Sequence, residues 1–183
     1  MANIETEFTP NPHSLKFNVH QVLLEKGTLF FTESSQAASS PLARKLLAIP
    51  FVQEVLLSRD FVTVTRDPST ETWVLVIPAV TRILEEHLTS GKPVLEGAGA
   101  ESLVDQSPSD IERRIRQVLD EKVRPAVARD GGDITFYGFA DGVVTLHLRG
   151  ACSTCPSSMA TLKAGVERIL CEAVPEVREV VQA

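Results

Sequence analysis

Of the three cysteines in this 183-residue chain, two stand close together in Cys152-Ser153-Thr154-Cys155-Pro156. A thiol pair at that spacing can ligate a metal or an iron–sulfur cluster, cycle between dithiol and disulfide, or simply be buried. The segment follows a strand-like run and precedes a helix-like one. That puts it at a helix N-terminus, where unpaired backbone N–H groups and the positive end of the helix dipole lower a thiol's pKa. The thiolate is both the nucleophile and the metal ligand, so Cys152 and Cys155 are the candidate ligands. Pro156 suits a first helical turn because it has no N–H to leave unpaired. Ala151, Ser153 and Thr154 are small, which predicts that both sulfurs are open to a common centre.

A redox dithiol needs a thioredoxin-like arrangement with sheet and helix after the motif, and the 28 residues beyond Cys155 are exhausted by one helix and one strand. A structural zinc takes four protein ligands, and an iron–sulfur cluster usually takes four thiolates. One chain offers two well-placed sulfurs, so it closes neither centre alone. Two chains facing each other across a two-fold axis supply two pairs, which ties either metal reading to dimerisation. A shared cluster, a thiol–disulfide oxidoreductase and a dimer-bridging structural zinc module all stand at this point.

Other residues compete poorly as ligands. His147 alternates with Leu146 and Leu148 and so lies on the opposite strand face, where a solvated histidine is the ordinary reading. Cys171 falls on another face of the helix whose core stripe is Met159, Leu162, Val166 and Ile169, and reads as an incidental thiol. Asp130 and Asp133 flank Gly131-Gly132, which suggests turn residues bonded to their own backbone and not an acid–base pair.

The elements that position the cysteine loop can be read locally. Ser109 can cap a helix running to about Val123, with Ile111, Ile115, Val118, Leu119 and Lys122 on or beside its apolar stripe. Ile134 to Tyr137 is strand-like, Asp141-Gly142 is a two-residue hairpin signal, and Val143 to Arg149 is the second strand. A helix from Pro156 to about Ala173 and a strand over Glu176 to Val180 complete an α-β-β-α-β order with a three-stranded sheet. Before it, Ser14 to Val19, Gly27 to Phe31 and a hairpin over Val52–Leu57 and Phe61–Thr65 read as strands, with a helix opened by Pro41 and another from about Val76 to Leu88. Between the two lies Gly-, Ala-, Ser- and acid-rich chain, the composition of a tether. The expected organisation is α+β, with two small domains at 1–91 and 109–183 and a flexible linker at 92–108.

Composition narrows the function classes. With 18 Lys plus Arg against 24 Asp plus Glu, the net charge of −6 argues against nucleic acid as a partner. The acidity is concentrated early, with 8 basic and 13 acidic residues over 1–105 against 10 and 11 over 106–183. No apolar run approaches the ~20 residues needed to span a bilayer, so no membrane partner is expected. The opening residues carry acid and no base, unlike a signal or transit peptide, and the odd cysteine count points to a reducing compartment. The expectation is a soluble protein of a bacterial-type cytoplasm or, if processed, of an organelle interior.

Gly150-Ala151-Cys152-Ser153-Thr154-Cys155-Pro156-Ser157-Ser158, followed by Thr161-Leu162-Lys163-Ala164-Gly165-Val166-Glu167 and preceded by Arg124-Pro125 and Asp130-Gly131-Gly132-Asp133-Ile134, resembles the C-terminal domain of the NifU/Nfu iron–sulfur proteins. The earlier part is similar to the N-terminal domain of the Nfu branch. The matching residues are Thr9-Pro10-Asn11-Pro12-His13-Ser14-Leu15-Lys16-Phe17, Gly27-Thr28, Ser40-Pro41-Leu42-Ala43, Asp60 to Thr65, Trp73 and Ser90-Gly91-Lys92-Pro93. Between Phe17 and Gly27 the chain departs from the familiar pattern. The resemblance implies a scaffold or carrier, not a classical enzyme, that holds a labile [4Fe-4S] cluster between two protomers. In it Cys152 and Cys155 are the ligands, and the cluster comes from upstream assembly machinery and passes to apo iron–sulfur proteins. It associates the N-terminal domain with partner recognition.

Overall fold

The computed structural model describes residues 4–33, 36–69, 73–96, 109–153 and 156–183, without the side chains of 36 and 156–161. The chain divides into two compact units, Met1–Glu101 and Ser102–Ala183, each a mixture of helices and strands.

In the first unit β1 (Glu5–Phe8), β2 (Ser14–Asn18), β3 (Leu29–Phe31), β4 (Val52–Leu57) and β5 (Phe61–Arg66) form an antiparallel sheet in the order β1-β2-β5-β4-β3. Strand alternation puts Leu15 and Phe17, Val62 and Val64, and Val55 and Leu57 in register on one face. They bury with Leu42 and Leu46 of α1 (Pro41–Leu47) and Val80 and Leu84 of α2 (Val76–Ser90). Pro41 opens α1 behind Ser40, whose hydroxyl accepts the Ala43 N–H at 3.3 Å, and Gly91 closes α2 with φ of 62°. Residues 5–8 show no apolar alternation, yet β1 forms as an edge strand. Its main chain pairs with β2 while Glu7 meets Lys16 at 3.3 Å and accepts from Asn18 at 3.0 Å.

The start of the expected linker belongs to this unit. The Ser40 hydroxyl donates to the Val94 carbonyl at 2.8 Å, the Glu96 N–H donates to the Ser39 carbonyl at 2.7 Å, and Val94 and Leu95 pack on the core. The remainder of that segment, 97–108, lies outside the described residues.

The second unit opens with α3 (Asp110–Val118) behind a capping box, in which Ser109 and Glu112 each bond the other's backbone N–H. The helical path does not stop at Val123. A π turn over 119–123 leads into α4 (Arg124–Arg129). The buried residues Ile115, Leu119, Val123 and Val127 recur every fourth position. In an unbroken α-helix four residues turn about 400°, so such a stripe would drift about 40° per step. The wider π turn takes up an extra residue and returns the series to one face. It also admits Pro125 at the start of α4, where a missing N–H is harmless.

The chain then forms β6 (Gly132–Ala140), β7 (Val143–Gly150), α5 (Pro156–Ala173) and β8 (Glu179–Gln182), in a sheet ordered β6-β7-β8. The expected three-stranded α-β-β-α-β unit is present. Asp141 and Gly142 take φ of 51° and 83°, the paired left-handed conformations that a two-residue hairpin requires. The last strand begins later than Glu176, because the Val177 N–H first turns back to the Val174 carbonyl at 2.9 Å. Then β8 runs parallel to β7, and the Val180 N–H donates to Glu167 of α5 at 2.9 Å. No helix among the described residues is long and apolar enough to cross a membrane.

Candidate metal centre

The cysteine segment joins β7 to α5, as its spacing predicts. Gly150 ends β7 with φ of 66°, and a β-turn follows in which the Ser153 N–H returns to the Gly150 carbonyl at 3.0 Å. The Ser153 hydroxyl donates to the same carbonyl at 2.8 Å, and the Ala151 N–H donates to the Gly131 carbonyl at 3.2 Å. Gly131 reaches that position with φ of 75°. Two stretches twenty residues apart in sequence, 131–132 and 150–153, are thereby stitched together at one end of the sheet.

Cys152 occupies the third position of this turn, and its thiol is not open as the small neighbours suggest. It is 4% exposed and belongs to the buried cluster that includes Val127, Ile134 and Val166. The turn folds the side chain inward, toward Gly132. Cys155, the other expected ligand, lies outside the described residues. The structure therefore places one of the two sulfurs, that of Cys152, within the 150–153 turn. Among the described residues no group of three or more His, Cys, Asp or Glu side chains is placed to hold a metal.

The competing residues fall elsewhere. His147 is half-buried on β7 and meets the exposed Tyr137 ring edge-on, with centroids 5.0 Å apart. Cys171 is half-buried, packs against the second core and forms no disulfide. Asp130 is an exposed cap residue at the end of α4. Asp133 is not a turn residue. It lies on β6, 3% exposed, with its Oδ1 3.2 Å from Arg124 Nε. Arg124 also meets Asp120 at 2.8 Å and donates to the Ile134 carbonyl at 3.1 Å. The π turn explains the change, because it carries the helical path far enough to set Arg124 over the start of β6. Along α5 the core positions are Val166 and Leu170, with Leu162 and Ile169 at the margin, while the Met159 side chain lies outside the described residues.

Sequence reasoning misses Gly132 and Arg124. Gly132 reads as one of two turn glycines, yet it is a strand residue paired with Gly150 and pressed against the Cys152 side chain. The available signal is a second glycine next to one that already supplies the turn, at the start of a strand. Arg124 falls just past the expected helix end at Val123, and nothing adjacent to it in the sequence signals its ion pair with Asp133.

Comparison with known proteins places both units. Residues 4–91 match the family described as scaffold protein Nfu/NifU N-terminal, and residues 115–181 match the NifU-like domain, which spans both cysteines. The chain is similar to the human protein named NFU1 iron-sulfur cluster scaffold homolog, mitochondrial, with 39% identity over 98% of this chain and 71% of that protein. It is 41% identical to the protein of the same name in Drosophila erecta, over 98% of this chain and 64% of the fly protein. The solved NifU-like protein of Saccharomyces cerevisiae is 22% identical, covering 52% of this chain and 86% of that one, with a TM-score of 0.47. The relatives are named as mitochondrial, which overturns the expectation of a bacterial-type cytoplasm. That expectation rested on the acidic and neutral opening residues and on the odd cysteine count, and neither determines where a folded chain works.

Proposed function

This chain belongs to the Nfu/NifU family of iron–sulfur cluster scaffold proteins, and on that premise we propose that it holds a labile [4Fe-4S] cluster between two protomers through Cys152 and Cys155 of each, and passes it to apo-proteins. The observation that supports the reading is that Cys152 sits in a turn over 150–153 that follows β7 and precedes α5, inside the stretch that matches the NifU-like domain. Thiolate donors suit iron–sulfur cargo, and two per chain make the dimer a condition of loading. In this reading 109–183 is the cluster domain, 1–91 recognises partners, and upstream assembly machinery supplies the cargo.

A cluster closed by ligands from two chains can leave without either unit unfolding. Release is ligand exchange. A thiolate of the recipient forms a bond to iron as the bond from Cys152 or Cys155 breaks, one position at a time, with no change of oxidation state. The protein's work is holding and presenting, so no turnover of a small-molecule substrate is expected. Because Cys152 is 4% exposed in the closed turn, its thiol must rotate outward to share a centre with a second chain.

Anaerobic reconstitution with iron and sulfide tests this. About four iron and four sulfide per two chains are expected, in a species of twice the monomer mass. Iron retained by a strictly monomeric species, or full loading of Cys152→Ser or Cys155→Ser, would overturn it.

A further inference from the structure

Gly132 is the first residue of β6, paired across the sheet with Gly150. A Cβ built on it would lie 2.5 Å from the Cys152 sulfur and 3.1 Å from both the Cys152 Cβ and the Arg149 carbonyl oxygen. The first distance is far inside van der Waals contact, and the sulfur cannot retreat along a long flexible side chain, because cysteine has one rotatable side-chain bond. On the other side the thiol meets the packed core of the second unit. The turn has little freedom to shift as a whole, since Ser153 closes it onto Gly150 twice and Ala151 ties it to Gly131.

We propose that Gly132 is a positioning residue for Cys152: its bare backbone is the socket that sheathes the thiol while the 150–153 turn is closed. Cluster capture then requires the thiol to leave that socket, and residue 132 sets how readily it does so. Any side chain at 132 fills the socket and biases Cys152 outward. The functional consequence rests on the cluster reading above. The socket itself is a property of the polypeptide and is measurable without iron.

The test uses the full chain carrying Cys155→Ser and Cys171→Ser, so that Cys152 is the sole thiol. Iodoacetamide labelling is followed by intact mass, under native conditions and in denaturant at the same pH. A sheathed thiol reacts only through opening of the turn, so native labelling is expected to be slower than denatured labelling by about tenfold or more. Gly132→Ala is expected to recover most of that factor while the circular dichroism spectrum is retained. Equal native and denatured rates in the parent, or an unchanged native rate in folded Gly132→Ala, would overturn the proposal.

A second measurement separates the socket from a general need for glycine. Gly132→Ala is expected to lower the Tm of the second unit, and to lower it markedly less when Cys152→Ala has already removed the sulfur. An equal loss in both backgrounds would show that residue 132 acts independently of the thiol, and the proposal would fall. Should Gly132→Ala not fold, the Cys152→Ala background decides the matter: folding regained there supports the socket, and failure to fold in both backgrounds would overturn it. Failure of reconstitution with normal thiol protection would sink the cluster reading alone, and normal reconstitution with an unprotected thiol would sink the socket alone.

Discussion

Replacing Arg124 with glutamine should destabilise the second unit and leave the first untouched. Asp133 is 3% exposed, and its Oδ1 lies 3.2 Å from Arg124 Nε, an ion pair by distance but not aligned as a hydrogen bond. Two unit charges at that separation attract by ~5 kcal/mol at an effective dielectric near 20. The guanidinium side of the pair is 39% exposed and is shared with Asp120, so screening and competition reduce this to ~2 kcal/mol. Loss of the bond to the Ile134 carbonyl adds ~1 kcal/mol. A total of ~2–3 kcal/mol in a unit of this size corresponds to a fall of roughly 10–20 °C in Tm. Trp73, the single tryptophan, lies in the first unit and reports on it separately by fluorescence, while far-UV circular dichroism sees both. The expected result is a dichroism transition moved down with the Trp73 transition in place. Asp133→Asn combined with Arg124→Gln should recover part of the loss, because the double variant no longer buries an uncompensated carboxylate; other contacts of Asp133 keep the recovery partial. A shift below about 2 °C, or a double variant equal to the sum of the singles, would refute the reasoning.

Two further perturbations follow from single contacts. His87 is 5% exposed on α2, and its Nε2 has no hydrogen-bond partner among the described residues. Burial, and then the charges of Lys45 and Lys92, hold its pKa below the ordinary 6.5. The unfolded chain therefore binds this proton at higher pH than the folded one, so the first unit keeps its full stability above about 6.5 and loses it as pH falls through the lowered folded value. Trp73 melts at pH 7.5 and 5 should show a smaller acid-induced loss in His87→Leu than in the parent, and an identical loss would contradict the assignment. Glu167→Ala removes the acceptor for the Val180 N–H on edge strand β8, at a cost of ~1–2 kcal/mol. Hydrogen exchange at the Val180 amide should accelerate, with Glu167→Gln intermediate; unchanged exchange would show that the contact does not hold the strand.

What could be read without the fold was local. Pro41 behind Ser40, Ser109 with Glu112, and Asp141-Gly142 each act over two to four residues, so their chemistry is written in adjacent letters. The same holds for the position of Cys152 between a strand and a helix. The tertiary structure decided the contacts between letters far apart. The π turn that carries the helix past Pro125 is needed to keep Val127 on the face of Ile115, and only with it does Arg124 reach Asp133. Strand β1 forms through pairing with β2 and not through any pattern of its own. Small neighbours in the motif suggested an open pair of sulfurs, yet Cys152 is closed against Gly132, twenty positions earlier. The types and spacing of the cysteines determine what they can bind, because ligand chemistry belongs to the residue. Whether a given sulfur is accessible depends on which backbone packs against it, and that is settled only when the sheet brings Gly132 and Gly150 together.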